Sequence, residues 1–230
     1  MAKHTPTPGI CMICKEELTR GTISRHLLKK HQSASGTSCF LILVTTSDPS
    51  PYWLALIADQ HASLADLDNV IREVWVECCG HMSAFHIGGT EYATTWDGDG
   101  IDDEFSDTED MHIELDEVLD SGMSFWYEYD FGSTTELKLK VAGVITCDDA
   151  PEDVFIAGMN TKPDAVCETC GKPAQYHYNV WEKEQTFCNI CAKDVDDECY
   201  LLPITNSPRT GICGYEGGTY DTPPDDISDE

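Results

Sequence analysis

Four cysteines in the last third of the chain place the tightest constraint on what it can fold into. They form two C-x2-C pairs, Cys167 with Cys170 and Cys188 with Cys191, and 17 residues separate the pairs. Each pair presents two thiolates to one side of an ion, and four thiolates complete the tetrahedral shell of a structural zinc site. Aromatic and polar residues alternate between the pairs, as in the hairpin of a zinc ribbon. We therefore predict a closed zinc ribbon over residues 160–204; the alternative is a reduced cysteine-rich loop.

A second set of ligand residues lies near the N-terminus and reads C-x2-C-x11-H-x4-H. It consists of Cys11, Cys14, His26 and His31. Residues 22–30 have a helical sequence, and a helix brings the two histidines close enough to share one tetrahedral ion. Leu18 and Ile23 stand where a ββα zinc finger keeps its small core. The pattern predicts a CCHH-type finger over residues 1–33 whose folding and zinc binding are one event; the alternative is an unmetallated tail.

The residues between these two sites, 38–145, predict a compact α+β domain. Two apolar runs of strand length lie within 39–58, and the best helix of the sequence follows over 63–79. Ser63 and Asp66 match a capping box, and apolar residues then recur every three or four positions along one face. The pattern favours a mixed β-sheet with one main amphipathic helix laid across it.

Two further hairpins belong to this domain. In the first, over 84–96, Gly88-Gly89 occupies the two positive-φ positions of a tight turn. In the second, alternate side chains of 125–129 and of 137–141 point to one face, because side chains alternate along a strand. Residues 130–134 form the predicted turn between those two strands.

Cys78 and Cys79 raise the question of whether the protein has a catalytic or metal-binding thiol site in addition to the two ligand sets. With His81 or His86 nearby they allow either a metal site or a thiol nucleophile with its base, but no acidic or amide partner in clear register completes a catalytic triad. Cys78 instead continues the buried face of the predicted helix, where a cysteine behaves as a small apolar residue. The sequence therefore favours a protein that is not an enzyme.

The C-terminal residues, 205–230, predict a packed strap followed by an acidic tail. The strap contains the run 206–215, whose role the sequence alone does not define. Cys199 and Cys213 lie outside both ligand sets, and we expect them to be core residues or free thiols.

Charge is distributed unevenly and limits the partners that the chain can bind. The formal net charge is −28, yet the first 37 residues carry six Lys/Arg against two Asp/Glu. An acidic body repels phosphate backbones, so nucleic acid could contact residues 1–33 only, whereas a basic protein suits the rest. One finger reads about three base pairs, too few for a specific site by itself. Residues 97–110 are densely acidic and predict a solvated loop, because they do not follow the ligand register of a calcium loop.

The sequence also bears on the compartment. No apolar run approaches the roughly 18 residues of a membrane span, and the N-terminus lacks the apolar segment of a signal peptide. We therefore expect a cytoplasmic protein with no membrane partner. In that compartment clustered cysteines indicate metal ligands in preference to disulfides.

Several motifs in the middle of the chain are shared with a known family. They are Tyr52-Trp53-Leu54, Leu64-Ala65-Asp66-Leu67-Asp68 with Val70-Ile71 and Trp75, His81, Phe85, and Phe125-Trp126-Tyr127-Glu128-Tyr129-Asp130-Phe131-Gly132. Through them residues 38–145 resemble the plasmid pRiA4b open-reading-frame-three-like family. Many members continue the last motif with Asp-Trp and a histidine, where this chain has Ser133-Thr134-Thr135-Glu136. The resemblance implies a compact α+β domain without an established activity, and the complete layout is similar to uncharacterised proteins of methanogenic archaea.

These observations lead to one expected function and one alternative. We expect a zinc-binding, non-enzymatic protein that holds two structural Zn²⁺ ions and serves as a protein-interaction module. The alternative is an accessory DNA-binding or regulatory protein of mobile-element type that acts through the N-terminal finger. The basic finger favours this alternative, as does the occurrence of the family on plasmids and near transposon-type genes.

Overall fold

The structure is a computed structural model that describes residues 8–46, 50–93, 108–148, 153–180, 183–195 and 201–221. Contacts divide the chain into two units, one of residues 1–70 with 82–161 and one of residues 71–81 with 162–230. Parts of several predicted segments lie outside the described residues: residues 1–7 of the finger, the end of the 84–96 hairpin, most of the acidic stretch 97–110, residues 181–182 and 196–200 of the ribbon, which include Cys199, and the end of the acidic tail.

The described residues form thirteen β-strands, four α-helices and one π-helical turn. The strands are β1 (Pro8–Cys11), β2 (Glu17–Thr19), β3 (Thr37–Thr45), β4 (Trp53–Asp59), β5 (Ser83–Ile87), β6 (Thr90–Ala93), β7 (Thr108–Asp110), β8 (Ser124–Tyr129), β9 (Thr135–Cys147), β10 (Val154–Asn160), β11 (Tyr176–Val180), β12 (Lys183–Phe187) and β13 (Leu201–Pro203). The helices are α1 (Arg20–Lys30), α2 (Leu64–Ile71), α3 (Leu115–Val118) and α4 (Asn189–Ala192), and the π-helical turn covers Arg72–Val76.

One large mixed sheet organises the first unit. Within the described residues it has ten strands in the order β2-β1-β10-β4-β3-β9-β8-β5-β6-β7. Neighbours are antiparallel except β6 and β7, which are parallel. The α+β class predicted from the sequence is confirmed.

The predicted hairpin of β8 and β9 is confirmed. Phe125 pairs with Leu139 and Tyr127 with Leu137, and all four side chains are buried. The turn begins at Asp130, which has a φ of +62°. Its Oδ1 accepts hydrogen bonds from the backbone N–H groups of Gly132 at 3.1 Å and Ser133 at 3.2 Å. The aspartate of the Tyr-Asp-Phe-Gly motif therefore holds the turn together, since Asp tolerates this conformation and binds nearby N–H groups.

The centre of the sheet is covered on both faces. Strand β4 is buried along nearly its whole length, and β3 along most of it, which explains their continuous apolar sequences. Helix α2 lies on the face that carries Tyr127, whose hydroxyl donates a 2.7 Å hydrogen bond to the buried Asp68 carboxylate. The Ser83 hydroxyl donates a second, at 2.8 Å, to the same Asp68 oxygen.

Helix α1 covers the other face. Ile23 and Leu27 of this helix are fully buried in a core that they share with Trp53 and other residues of β3, β4, β9 and β10. A Cβ at Gly158 would lie 2.8 Å from the Ile23 Cδ1, so the helix approaches the sheet where a glycine leaves room. Strand β1 pairs with β10, with Gly9 opposite Asn160. The predicted finger is thus a structural part of the large sheet and its core.

The helix predicted over 63–79 is shorter than expected. Its capping box is confirmed, because the Ser63 N–H donates to the Asp66 carboxylate at 2.8 Å and the Asp66 N–H to the Ser63 hydroxyl at 3.1 Å. Its predicted end is wrong: the α-helix stops at Ile71, and the chain leaves helical geometry at Glu77. The Glu77 carboxylate accepts a 2.5 Å hydrogen bond from the Gly80 N–H and so fixes a turn there. Cys78 consequently does not continue a buried helical face.

The second unit is built on a small sheet. Within its described part, β11 pairs with β12 and with β13, all antiparallel, which confirms the hairpin predicted between the cysteine pairs. Tyr176, Phe187 and Ala192 form its buried apolar cluster. The run 206–215 packs against this sheet, where Gly211 contacts His177 and the Gly211 carbonyl accepts a hydrogen bond from the Asn179 side chain.

None of the described helices combines the length and the apolar composition needed to cross a bilayer.

Candidate metal centres

The structure brings the four N-terminal ligand residues together. Cys11 ends β1, Cys14 lies in the turn that follows, His26 is on α1, and His31 is the C-cap of that helix. The Cys11 Sγ lies 3.6 Å from the His31 Nε2, and the Cys14 Sγ lies 3.4 Å from the His26 Nε2. The two Nε2 atoms are 3.1 Å apart. We call this group the finger cluster.

These distances fit a tetrahedral zinc ion. With Zn–S bonds of about 2.3 Å and Zn–N bonds of about 2.0 Å, neighbouring ligand atoms lie about 3.3–3.8 Å apart. Burial lowers the pKa of His31, and the positive charge of His26 adds to this, so the imidazole favours its neutral, metal-binding form. Burial also raises the pKa of Cys11.

A carboxylate lies near the outer nitrogen of one histidine of the finger cluster. Glu16 lies 3.7 Å from the Nδ1 of His26, on the side of the ring away from the cluster, and 2.6 Å from the Lys30 ammonium. The hydrogen bond from Lys30 lowers the pKa of Glu16. A carboxylate near the outer nitrogen of a ligating histidine orients the ring and strengthens the ligand.

The ribbon cysteines also converge, and we call them the ribbon cluster. The sulfurs of Cys167, Cys170, Cys188 and Cys191 all lie within 4.8 Å of one another, and those of Cys170 and Cys188 are 3.6 Å apart. The first pair sits on a tight knuckle in which the Gly171 N–H donates to the Cys167 carbonyl at 2.8 Å. The second pair opens α4, with Cys188 as its N-cap.

Backbone amides polarise two of these thiols. Burial opposes ionisation of Cys167, yet hydrogen bonds from the backbone of Cys188, Cys170 and Thr169 outweigh it and lower the pKa of Cys167 to about 6. The backbone N–H of Cys191 lowers the pKa of Cys188. The thiolate is the form that binds zinc, so the knuckles favour metal binding at these two sulfurs. The side-chain hydrogen bond with Cys170 raises the pKa of Cys191 to about 12.

A third group of ligand-type side chains was not predicted. Cys78, Cys79, His81 and Cys213 place one ligand atom each within 4.8 Å of the others, and we call them the third cluster. The expectations that Cys78 is a buried helix residue and Cys213 a core residue or free thiol both miss this proximity. The local signal was the Cys-Cys-Gly-His run. The fourth member, Cys213, lies 132 residues beyond His81, and over such a separation the interval between two residues does not predict that they meet.

The third cluster does not resemble an activated nucleophile. Hydrogen bonding to Cys78 raises the pKa of Cys79 to about 12, with Cys213 adding to the shift. A catalytic cysteine needs the opposite shift. His86 lies in the first unit on β5, where its Nε2 is 3.4 Å from Glu128 and its Nδ1 is 3.9 Å from Glu91.

Fold and clusters together define the class: an α+β protein with Cys/His clusters, able to hold metal ions, in both of its units. The chain belongs to the plasmid pRiA4b ORF-3-like protein family, which matches residues 40–185 and confirms the resemblance seen in the sequence. None of the curated proteins matches the chain. A similar solved structure is that of MM3350, a protein of unknown function from Methanosarcina mazei Go1. It is 16% identical, with a TM-score of 0.43, and the alignment covers 60% of this chain and 76% of that chain.

Proposed function

We propose that this protein is a non-enzymatic zinc protein in which two structural Zn²⁺ ions support a surface for binding a basic protein partner. One ion is held by Cys11, Cys14, His26 and His31, and the other by Cys167, Cys170, Cys188 and Cys191. The observation that carries the proposal is that each cluster has four protein ligand atoms within 4.8 Å of one another. Four protein ligands complete a tetrahedral shell, leave no position for water or substrate, and so favour a structural role.

The zinc part of the proposal is tested on the full chain. Elemental analysis of protein purified under reducing conditions should find at least two zinc ions per chain. Cys14→Ser and Cys188→Ser should each lower the zinc content by one ion, while Cys147→Ser, at a buried cysteine outside the clusters, should leave it unchanged. A wild-type protein that folds without bound metal would refute the proposal.

The solvent face of β8 and β9 is the candidate binding surface. Trp126 keeps 45% of its surface exposed there, and the Lys138 Nζ lies 5.5 Å from its ring. Glu128 of β8 lies opposite Glu136 of β9. This pair is on the same face as the Trp126–Lys138 pair and two residues along each strand from it. Carboxylates directly opposite each other repel, and a basic partner would relieve that repulsion. An exposed tryptophan surrounded by charge is typical of an interface hot spot.

The binding part is tested by comparing two alanine variants. The zinc-loaded full chain is used as bait in an extract of the native host. Each captured protein is then purified, and its affinity for the wild-type chain and for each variant is measured by titration. We expect Trp126→Ala to lower the affinity of a basic partner at least tenfold. Ile190→Ala removes another exposed apolar side chain, 67% accessible and in the other unit, and should have no effect. Equal binding by both variants would show that the β8–β9 face is not the interface.

The exposed side of α1 supports the alternative, DNA contact through the finger. Arg25 and Lys29 lie one helical turn apart and are exposed, beside a cavity of about 840 Å³. Lys30 is already paired with Glu16 at 2.6 Å. Arg25 and Lys29 are therefore better candidates for phosphate contact than Lys30.

A charge-reversal pair tests this alternative. Arg25→Glu with Lys29→Glu removes two phosphate contacts and should lower the slope of log affinity against log salt by about 1.8 for duplex DNA. The matched control is Lys138→Glu with Lys140→Glu, which makes the same charge change on exposed positions of β9. Equal salt slopes for the two variants would exclude the finger as the DNA-contacting element.

A further inference from the structure

We propose that the third cluster, Cys78, Cys79, His81 and Cys213, is a third Zn²⁺ site. All four residues belong to the second unit of the chain. The Cys79 Sγ lies 3.3 Å from that of Cys78, 3.9 Å from that of Cys213 and 3.0 Å from the His81 Nε2. The His81 Nε2 lies 3.2 Å from the Cys213 Sγ.

The donor set and its spacing match zinc. Sulfur–sulfur edges of a tetrahedral zinc site are about 3.8 Å and sulfur–nitrogen edges about 3.5 Å. The Cys79–Cys213 distance matches these values, and the other three distances are shorter by about 0.3–0.5 Å, so the side chains need to separate only slightly to accommodate an ion. Three thiols and one imidazole form the Cys₃His set of structural zinc sites, and on binding the thiols release their protons to solvent.

The surrounding chain holds the two halves of the third cluster in place. The Ser207 hydroxyl donates a 2.5 Å hydrogen bond to the Trp75 carbonyl, and the buried Tyr215 hydroxyl donates one of 3.3 Å to the Val74 carbonyl. These bonds join the run 206–215 to the π-helical turn, which ends two residues before Cys78. Cys213 itself has a φ of +49°, which non-glycine residues seldom adopt.

A buried positive charge complements a charged metal site. The Arg209 side chain is fully buried, and its Nη2 lies 3.5 Å from the Cys78 Sγ. One Zn²⁺ with three thiolates and a neutral histidine carries a net charge of −1. The guanidinium can donate a hydrogen bond to a zinc-bound thiolate, and such outer contacts orient and stabilise metal ligands. The buried guanidinium therefore complements the negative charge that a metal site would have at this position.

The third ion would fasten the residues after the π-helical turn to the C-terminal run. Cys78, Cys79 and His81 come from one segment and Cys213 from another, so one ion closes a long loop of chain. This assignment adds a site to the two of the proposed function and does not depend on them.

Native mass spectrometry of the full chain counts the ions directly. We expect three zinc ions in the wild type, two in Cys213→Ser and three in Cys147→Ser. Cys188→Ser should lose only the ion of the ribbon cluster. Comparing it with Cys213→Ser therefore distinguishes loss of the ribbon ion from loss of the third ion. A wild type with two ions, and the same two in Cys213→Ser, would overturn the proposal.

Alkylation of the wild type gives a second test that needs no variant. Cys79 and Cys213 are solvent-exposed, so iodoacetamide can reach a free thiol at either position, and an alkaline buffer supplies the thiolate that the reagent attacks. In zinc-loaded protein we expect both to react with iodoacetamide at least tenfold more slowly than after chelation. Labelling at the rate of a free thiol, or a Cys79–Cys213 disulfide in protein kept under reducing conditions, would contradict a zinc site.

Discussion

Replacement of Ile23 by alanine tests whether the finger helix and the large sheet share one core. Ile23 is fully buried against Gly158 and the apolar side chains of β3, β4 and β10. The change removes three carbons, worth about 2.4 kcal/mol at about 0.8 kcal/mol each. A residual cavity adds to this, and large-to-small changes of this kind cost about 2–5 kcal/mol. We expect a loss of about 3 kcal/mol.

Amide hydrogen exchange of zinc-loaded protein locates that loss. If the core is shared, the most protected amides of β4 and β10 should lose protection by about two orders of magnitude, since every 1.4 kcal/mol is tenfold. The amides of α1 should lose at least as much. A finger that folds by itself predicts a different pattern, in which only α1 and its hairpin exchange faster.

The matched control is Ile13→Ala in the same finger. Ile13 is 47% exposed, so the same substitution should change stability by no more than about 0.5 kcal/mol. Unchanged protection of β4 and β10 in Ile23→Ala, with faster exchange confined to α1, would refute the shared core.

Three further predictions concern other parts of the molecule. Cys188→Ser should abolish exchange protection of β11 and β12, because the ribbon folds around its metal, and protection retained at wild-type level would contradict this. Gly211→Ala should destabilise the second unit by about 1–3 kcal/mol in calorimetry, because Gly211 is buried against His177 at a φ of +77°; an unchanged unfolding temperature would contradict it. The Glu114 carboxylate, 2.8 Å from the exposed His61, raises the pKa of that histidine. Its contribution to stability is therefore complete below the ordinary histidine pKa and lost as pH rises through the raised value. NMR titration should show a drop in the His61 pKa in Glu114→Gln, and an unchanged pKa would exclude this pair as the cause.

Features governed by local spacing could be predicted from the sequence. The ribbon hairpin, the turn at Asp130 and the capping box at Ser63 depend on residues within about twenty positions of one another. In each, the partner groups are fixed by chain geometry, so residue type and interval suffice. The same reasoning failed beyond Ile71, where the chain continues as a π-helical turn and leaves helical geometry at Glu77, although the apolar repeat extends to Cys78.

Contacts between distant segments could not be predicted in the same way. The pairing of Gly9 with Asn160 joins the finger to the sheet, and no local rule specifies it. The continuous apolar character of β3 and β4 did contain a usable signal, because strands covered on one face alternate and these do not. This apolar character indicated that both faces of β3 and β4 are covered, and α1 covers the second face. The approach of Cys213 to Cys79, 134 positions apart, left no comparable trace.

The central claim is that zinc occupies the finger and ribbon clusters, and anomalous diffraction at the zinc absorption edge tests it most directly. The account predicts one strong peak about 2.3 Å from the sulfurs of Cys11 and Cys14, and another at that distance from all four ribbon sulfurs. Folded protein crystallised without chelator that shows no anomalous peak at the ribbon sulfurs would contradict it.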